Sequence, residues 1–441
     1  ILNIDTTMAA GFDGVLAVLT HNDVPGAKTY GMKVADQPVL AIDEIRYEGQ
    51  PVAIVAATHP EIARRACALI KVEYEELAPA TDVEASLRGE ADQFPNGGLV
   101  RHVKIRHGDV ARAREQAEVT VAGRYELGTQ DPAFLGPESG LAVPISDGGI
   151  ELYVSCQNLH LDHKQVAASL ALPSDKLRLV LSGVGGAFGG KEDLNVHIHV
   201  CMLAQATGQP VRMVYNREES FYGHVHRHPA TAEVELGATA DGDLVFSQVR
   251  LVLDGGAYTS TSEIVIANGS YFAAGAYRCD NVEIDGYAVY TNTPPNGAMR
   301  GFGAVQSCFA IESAMDRLAR KLDIHPIELR RRNAIREGDL LPTGQAIDGP
   351  APIEQLLTYL RDAPLPEELG NENVDQRARP GGVGNVTHGE GIRRGVGYAL
   401  GMKAIGFSGG IDDTSTARVS MWIRDGVPIA EVTCAAPELG Q

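Results

Sequence analysis

Two rhythms of apolar and polar positions run through the chain. Over residues 14–20 and 52–56 the apolar residues are continuous and β-branched, as in strands buried on both faces, and residues 39–42 read the same way. His59 and Pro60 then open a run in which Ile62, Ala63, Ala66, Ala68 and Leu69 recur at helical spacing, so a helix is predicted from Pro60. Residues 72–75 alternate as an edge strand does. Residues 84–100, with Pro95, Asn96, Gly97 and Gly98, carry turn residues in place of either rhythm and read as a linker. Residues 1–92 therefore outline a small α/β unit.

A longer unit begins near Val100. Strand rhythm is predicted at 119–126, 141–143, 151–156, 177–182, 210–215, 232–236 and 244–254, the last two forming a hairpin around Asp241 and Gly242. Helical rhythm is predicted at 161–172, 194–207 and 306–322. Residues 364–393, rich in Pro, Glu, Gly and Asn, read as a mobile stretch or a surface crossing, and strand-like runs return over 394–435. Strands and helices mix without strict alternation, so the expected class is α+β rather than a doubly wound sheet.

Composition narrows the function classes. The 441 residues are 44% hydrophobic and 22% charged, as in ordinary globular proteins of a few domains. No apolar run approaches the ~18 residues of a membrane span. A net charge of −19 argues against a nucleic-acid or anionic-membrane surface. Cys67, Cys156, Cys201, Cys279, Cys308 and Cys434 are scattered without a C-x-x-C, so neither a zinc ribbon, an iron–sulfur site nor a disulfide framework is expected, and a reducing cytoplasm is. The first residues, Ile1 to Asp5, include neither a starting Met nor a signal-type apolar core, and read as a processed product or a fragment.

Candidate chemistry centres on residues 183–193, which hold five glycines in their first eight positions. Glycine backbone adopts φ > 0 and lets amide groups approach a ligand, and a following helix adds the positive end of its dipole. Gly185, Gly190 and Lys191 match phosphate-loop spacing. Glu192, however, stands where Ser or Thr would hold Mg²⁺, and a carboxylate repels a triphosphate. Phe188 at the loop tip fits a pocket wall instead; the alternative is a tight turn with no ligand. Residues 297–303 repeat the arrangement with Arg300, Gly301, Phe302 and Gly303 before a helix. Two such aromatics would sandwich a planar substrate, and the arginine would clamp an anionic group. Each loop alone also reads as a core-packing turn. Glu192 would either stabilise the first turn of a helix or serve as a pocket carboxylate for a heterocycle N–H or a proton. Gln157, after a strand end, is either a polar loop residue or an amide that touches a cofactor.

His224, His226 and His228 alternate, so a strand would place all three on one face. Arg227 and Pro229 interrupt them and no acidic residue has a fixed offset, so a packed or solvated face is expected rather than a metal site, as for His160 and His163. No G-x-S-x-G, H-E-x-x-H or dinucleotide fingerprint supports a hydrolase, zinc-protease or Rossmann reading.

Ser155-Cys156-Gln157, residues 185–192 (GGAFGGKE), residues 298–303 (AMRGFG) and residues 326–330 (PIELR) with Asn333 together resemble the large, molybdopterin-binding chain of the xanthine dehydrogenase and aldehyde oxidase family. Bacterial xanthine dehydrogenase large chains are the members it resembles most. Residues 1–92 resemble the family's α/β hammerhead domain without its usual first strands. Residues 93–441 resemble the first half of its molybdenum-cofactor domain, ending at Gln441 within the E-x-G-Q-G pterin loop.

The resemblance implies roles that spacing does not. Gln157 would contact the molybdenum oxo group. Gly186, Phe188 and Gly189 would lie against the metal centre, and Arg300, Gly301 and Gln441 would hold the pterin, none being a direct side-chain ligand of molybdenum. Phe302 would stack on the substrate ring. Glu192 would bind a purine-like heterocycle and, with Gln157, form the catalytic set. Asn268 occupies the place, nine residues before Tyr277, of a substrate-orienting arginine in vertebrate xanthine enzymes. The implied reaction is hydroxylation of a xanthine- or hypoxanthine-type ring with water as the oxygen source. The implied cofactor is molybdopterin or its cytosine dinucleotide, with [2Fe-2S] clusters and FAD on partner subunits. The family's catalytic base, a Glu in the second half of the domain, is absent here, so the chain is expected to be inactive alone and to be either truncated or paired with a separate second-half chain. An aldehyde or carbon monoxide oxidoreductase and a non-catalytic fragment are the alternatives. Carbon monoxide enzymes carry a Cys in an active-site loop where this chain has Phe188.

Overall fold

The computed structural model describes residues 1–365, 396–404, 415–434 and 440. Near the N-terminus, Val15–Thr20 pairs antiparallel with Ala53–Ala57, and Asn3–Asp5 with Lys71–Glu73. The helix Pro60–Cys67 starts where expected because proline is pre-set for a first helical position and the His59 ring accepts from the Glu61 N–H. Residues 39–42 are not a strand. Val39, Leu40 and Ala41 are buried in an irregular segment after the two-residue strand Gln37–Pro38. Continuous apolarity marked burial there, but the burial comes from neighbouring elements rather than from a ladder. The expected linker at 84–100 is also ordered. Asp82 caps the helix Val83–Leu87, and Glu84 receives hydrogen bonds from Arg250 at 3.1 and 2.8 Å.

The next layer is a four-stranded sheet in the order Leu177–Leu181, Ile150–Val154, Ser139–Pro144, Val211–Val214; the first two strands are parallel and the other pairs antiparallel. The helix Val196–Thr207 packs on this sheet and also on the N-terminal pair. It is covered from two sides, so apolar residues run round most of it: Val196, Ile198, Val200, Cys201, Met202, Leu203 and Ala204 are buried, with His197 and His199 buried among them. One hydrophobic core accordingly contains Val24, Leu40 and Ile54 from the N-terminal unit together with Leu152, Val166 and Val200.

A second sheet has five strands, in the order Leu99–His107, Val282–Val289, Leu244–Asp254, Ala230–Ala238, Val119–Leu127. The expected hairpin of Ala230–Ala238 with Leu244–Asp254 is present. The amphipathic helix Ala304–Leu322 lays Ile311, Met315 and Leu318 on the sheet. Beside it lies the helix Ser262–Tyr271, which the sequence rhythm did not indicate: Val265, Ile266, Ala267, Asn268, Gly269 and Ser270 are all buried, so no polar face marks it.

The PIELR stretch is structural here. It opens the helix Pro326–Asn333, where Arg330 is fully buried and donates to Glu312 Oε2 at 2.8 Å. Asn333 accepts from Leu244 N and donates to Gly242 O, each at 2.8 Å, and so fixes the hairpin turn. Arg418–Arg424 and Val427–Thr433 form a hairpin that, among the described residues, pairs with no other strand. The expected crossing at 364–393 lies almost wholly outside the described residues. All six thiols are free, and no helix of the described residues is long and apolar enough to cross a membrane.

Candidate cofactor and substrate site

The site begins at the carboxyl ends of two parallel strands. Val154 and Leu181 lie side by side, so Gln157 and the glycine loop leave the same edge of the sheet, the position where open α/β sheets place ligands. Gln157 then grips the loop. Its N–H donates to Lys191 O at 3.1 Å, its Oε1 accepts from Gly189 N at 3.0 Å and Lys191 N at 3.4 Å, and its Nε2 stands 3.5 Å from Glu192 Oε1. Lys191 is folded inward. Its Nζ donates to Val184 O at 2.6 Å and Gly136 O at 2.8 Å, and lies 4.3 Å from the centre of the Phe134 ring. Desolvation lowers its pKa to about 8. The lysine of the phosphate-loop spacing is thus a strut inside the loop and is not presented to a triphosphate.

The two glycine-bearing loops meet. Arg300 N donates to Phe188 O at 2.8 Å, and a Cβ on Gly189 would stand 2.9 Å from the backbone of Ala298 and Met299. Phe188 (φ 53°) and Phe302 (φ 49°) both adopt the left-handed conformation, which costs a bulky residue on the order of 1–3 kcal/mol each. Such strain is characteristic of functional loops and could not be read from the sequence. Gly440 also reaches the first loop, where an added Cβ would lie 3.0 Å from Phe188 Cε1 and 3.2 Å from Gly186 Cα. Gln441, expected beside the pterin, lies outside the described residues. Arg300 is exposed, and no described residue accepts from its guanidinium. Its carbonyl accepts from Arg227 Nη2 at 2.8 Å, a support that no motif announced.

Glu192 does not open a helix. The helix starts at Val196 behind its own cap, Asn195, so the dipole reading of Glu192 falls away. Burial raises the Glu192 pKa to about 8, with the Asp193 and Asp162 carboxylates adding to the shift, and its buried Oε2 has no hydrogen-bond partner. At neutral pH this group is a protonated acid able to donate. Asn268 is buried in the helix Ser262–Tyr271, and neither amide atom has a partner. The next residue, Gly269, touches the second loop: its Cβ would meet Gly303 O at 3.2 Å. A buried carboxyl and a buried amide left unsatisfied call for a polar group supplied from elsewhere.

The three alternating histidines part company. His228 donates to or accepts from Ser262 Oγ at 2.8 Å, with its pKa pushed down to about 3 by burial, whereas His224 and His226 turn toward Asp131. All three are buried, as the packed alternative expected, but they do not share one face; the acidic partner comes from the 128–138 loop, with no fixed sequence offset. His163 bonds the Leu177 carbonyl at 2.9 Å and is structural.

Bare backbone, an uncommitted arginine and unsatisfied buried polar atoms suit a flat anionic cofactor with a polar planar substrate. Residues 93–334 match the molybdopterin cofactor-binding domain, and residues 1–78 match the a/b hammerhead domain of aldehyde oxidase and xanthine dehydrogenase. The chain belongs to the aldehyde oxidase and xanthine dehydrogenase family. It is 36% identical to a probable xanthine dehydrogenase subunit of Bacillus subtilis over 89% of this chain and 53% of that one. It is 36% identical to the nicotinate dehydrogenase large molybdopterin subunit of Eubacterium barkeri over 85% of this chain and 88% of the relative. The aldehyde oxidoreductase from Desulfovibrio gigas superposes with a TM-score of 0.77 at 30% identity over 81% of this chain and 41% of that one. The chain thus spans about half the length of the first of these relatives. The α+β fold with a hammerhead-type region ahead of a molybdenum-cofactor domain is as the sequence led us to expect.

Proposed function

We propose that this chain supplies part of the cofactor and substrate site of a molybdenum hydroxylase acting on a purine-like N-heterocycle of the xanthine or hypoxanthine type. The observation that carries this reading is Glu192 Oε2, an oxygen of a half-buried residue that is itself sealed from solvent without a hydrogen-bond partner, in surroundings that push the carboxyl pKa up to about 8. A neutral carboxyl both donates and accepts, which matches the adjacent N–H and carbonyl or imine nitrogen of a purine edge. An aldehyde offers only one acceptor. The relative named for nicotinate, another N-heterocycle, agrees with this class.

The chemistry supplied by a bound molybdenum–pterin cofactor, as molybdopterin or its cytosine dinucleotide, is two-electron oxidation with water as the oxygen source. The residues of this chain bind and orient. Arg300 and the amides around Gly186 and Gly301 hold the pterin and its anionic groups, with the bare backbone of Gly189 lying against it. Gln157 fixes the Gly189–Lys191 backbone and keeps its Nε2 beside Glu192. Phe188 and Phe302 wall the planar substrate. Glu192 hydrogen-bonds the ring edge and exchanges a proton with it as the ring is oxidised, and Asn268 satisfies a further polar substituent. Electrons leave to [2Fe-2S] and FAD partner subunits in a cytoplasmic complex.

The test is turnover of the assembled complex with hypoxanthine, xanthine and a simple aromatic aldehyde at matched acceptor, with molybdenum quantified in parallel. The heterocycles should be oxidised at least ~10-fold faster in kcat/KM than the aldehyde, a modest ratio for a lost buried hydrogen bond. Aldehyde preference would overturn the substrate class, and a complex without molybdenum would overturn the catalytic reading altogether.

A further inference from the structure

Three side chains from separate segments converge beside the glycine-bearing loops. Asp131 comes from the 128–138 loop, His224 follows the helix Arg217–Gly223, and His226 opens the two-residue strand His226–Arg227. His224 Nε2 lies 3.0 Å and His226 Nε2 3.2 Å from the same oxygen, Asp131 Oδ2. A ligand atom from each of the three falls within 4.8 Å of the other two. A four-coordinate zinc ion with bonds of roughly 2.0–2.1 Å sets its ligand atoms about 3.3 Å apart. The side chains already stand near that spacing.

The far side of the His224 ring gives a second, independent observation. His224 Nδ1 is 2.7 Å from Oε1 of Glu138 and 3.5 Å from Ser220 Oγ; the Glu138 side chain is fully buried and its carboxylate has no hydrogen-bond partner. A buried carboxylate against the back of an imidazole favours the tautomer whose opposite nitrogen presents its lone pair forward, the support found around metal-bound histidines. Asp131 is steadied too, its Oδ1 accepting from Ala133 N at 2.6 Å. Both rings are nearly inaccessible, but the Asp131 side chain keeps 19% of its surface, an approach for a small ion.

We propose that Asp131, His224 and His226 bind a zinc ion, with Glu138 orienting His224 from behind. The site is distinct from the molybdenum cofactor site, and its role is to hold the supports of the two loops together. Phe134, in the same loop as Asp131, packs against Gly186 and Gly190. The strand His226–Arg227 pairs with Asn296–Gly297 at the base of the second loop, and Arg227 bonds both Gln130 and the Arg300 carbonyl. One ion would lock all of these segments. The competing arrangement is metal-free, with His224 an imidazolium between Glu138 and Asp131.

The test uses the full chain, stripped with a chelator and titrated with Zn²⁺ and, as a spectroscopic probe, Co²⁺. One saturable equivalent is expected, with the visible bands of four-coordinate Co²⁺, X-ray absorption showing two imidazoles plus oxygen, and a melting temperature several degrees higher at saturation. Asp131→Asn and His226→Asn should abolish the bands. Glu138→Gln should weaken Co²⁺ binding by about 10–100-fold, and the exposed His160→Asn should leave it unchanged. Absence of a saturable equivalent on the wild-type chain, a bound ion without imidazole ligands, or binding undiminished in Asp131→Asn would each overturn the proposal. If a variant fails to fold, X-ray absorption on the wild-type chain decides.

Discussion

A carboxyl that stays protonated at neutral pH does different chemistry from one that ionises, and Glu192 is such a group. Glu192→Gln keeps the donor and the acceptor but loses the proton that can move. It should cut purine kcat/KM by about 10²-fold or more, as loss of a positioned acid–base group does, while molybdenum content stays near wild type. Equal loss of both would remove Glu192 from the substrate role. The pH dependence of stability has a definite sign. Glu192, Asp162 and Asp193 have folded pKa values raised by burial to about 8, 7 and 6. Their contribution is fully present below the ordinary carboxyl range and is lost as pH rises through these values. The buried neutral histidines His197, His199 and His228 act in the opposite sense up to the unfolded histidine pKa of about 6.5, so the carboxyl effect is read above it. Unfolding free energies from urea melts should fall from about pH 6.5 to pH 8.5, by on the order of a few kcal/mol, and Glu192→Gln should flatten that fall. A profile rising over that window would contradict the burial of these carboxyls. Arg300→Ala should lower molybdenum content; unchanged occupancy would take Arg300 out of the pterin site.

At the scale of elements, the two loops work as a pair, and the contact between them is the sensitive point. Gly189→Ala places a methyl 2.9 Å from the backbone of the opposite loop at a φ of 100°. The expected loss is about 1–3 kcal/mol in a urea melt, accompanied by lower molybdenum retention. The glycine and phenylalanine positions were legible in the sequence; the facing of the loops, the left-handed phenylalanines and the inward turn of Lys191 were not, because they depend on contacts between segments far apart in the chain. The same limit hid the helix Ser262–Tyr271. Buried on all sides, it has no amphipathic stripe, and its Asn268 was marked by resemblance alone. By contrast, the helix Ala304–Leu322 and the hairpin around Asp241 and Gly242 carry local signals and fall where expected. Arg330, noted only as part of a family stretch, proves to be a fully buried partner of Glu312. Arg330→Met should destabilise by roughly 3–5 kcal/mol, because it leaves a buried carboxylate unpaired, and adding Glu312→Leu should recover part of the loss. Chemical denaturation of the single and double variants measures both.

For the whole molecule, the hydrophobic core that joins Val24, Leu40 and Ile54 to Leu152, Val166 and Val200 has a practical consequence. The matches to the two domains of the family leave a gap between residues 78 and 93, and that is where a protein engineer would cut. The cut would strip one wall from the helix Val196–Thr207, which is buried along most of its length, and leave both pieces with an open greasy face. Neither fragment is then a module to be transplanted or swapped between relatives. A protease that nicks the chain there should release no soluble N-terminal piece, since the halves stay clasped after the peptide bond is gone. The boundary divides two recognisable domains and runs through a continuous solid in mechanics.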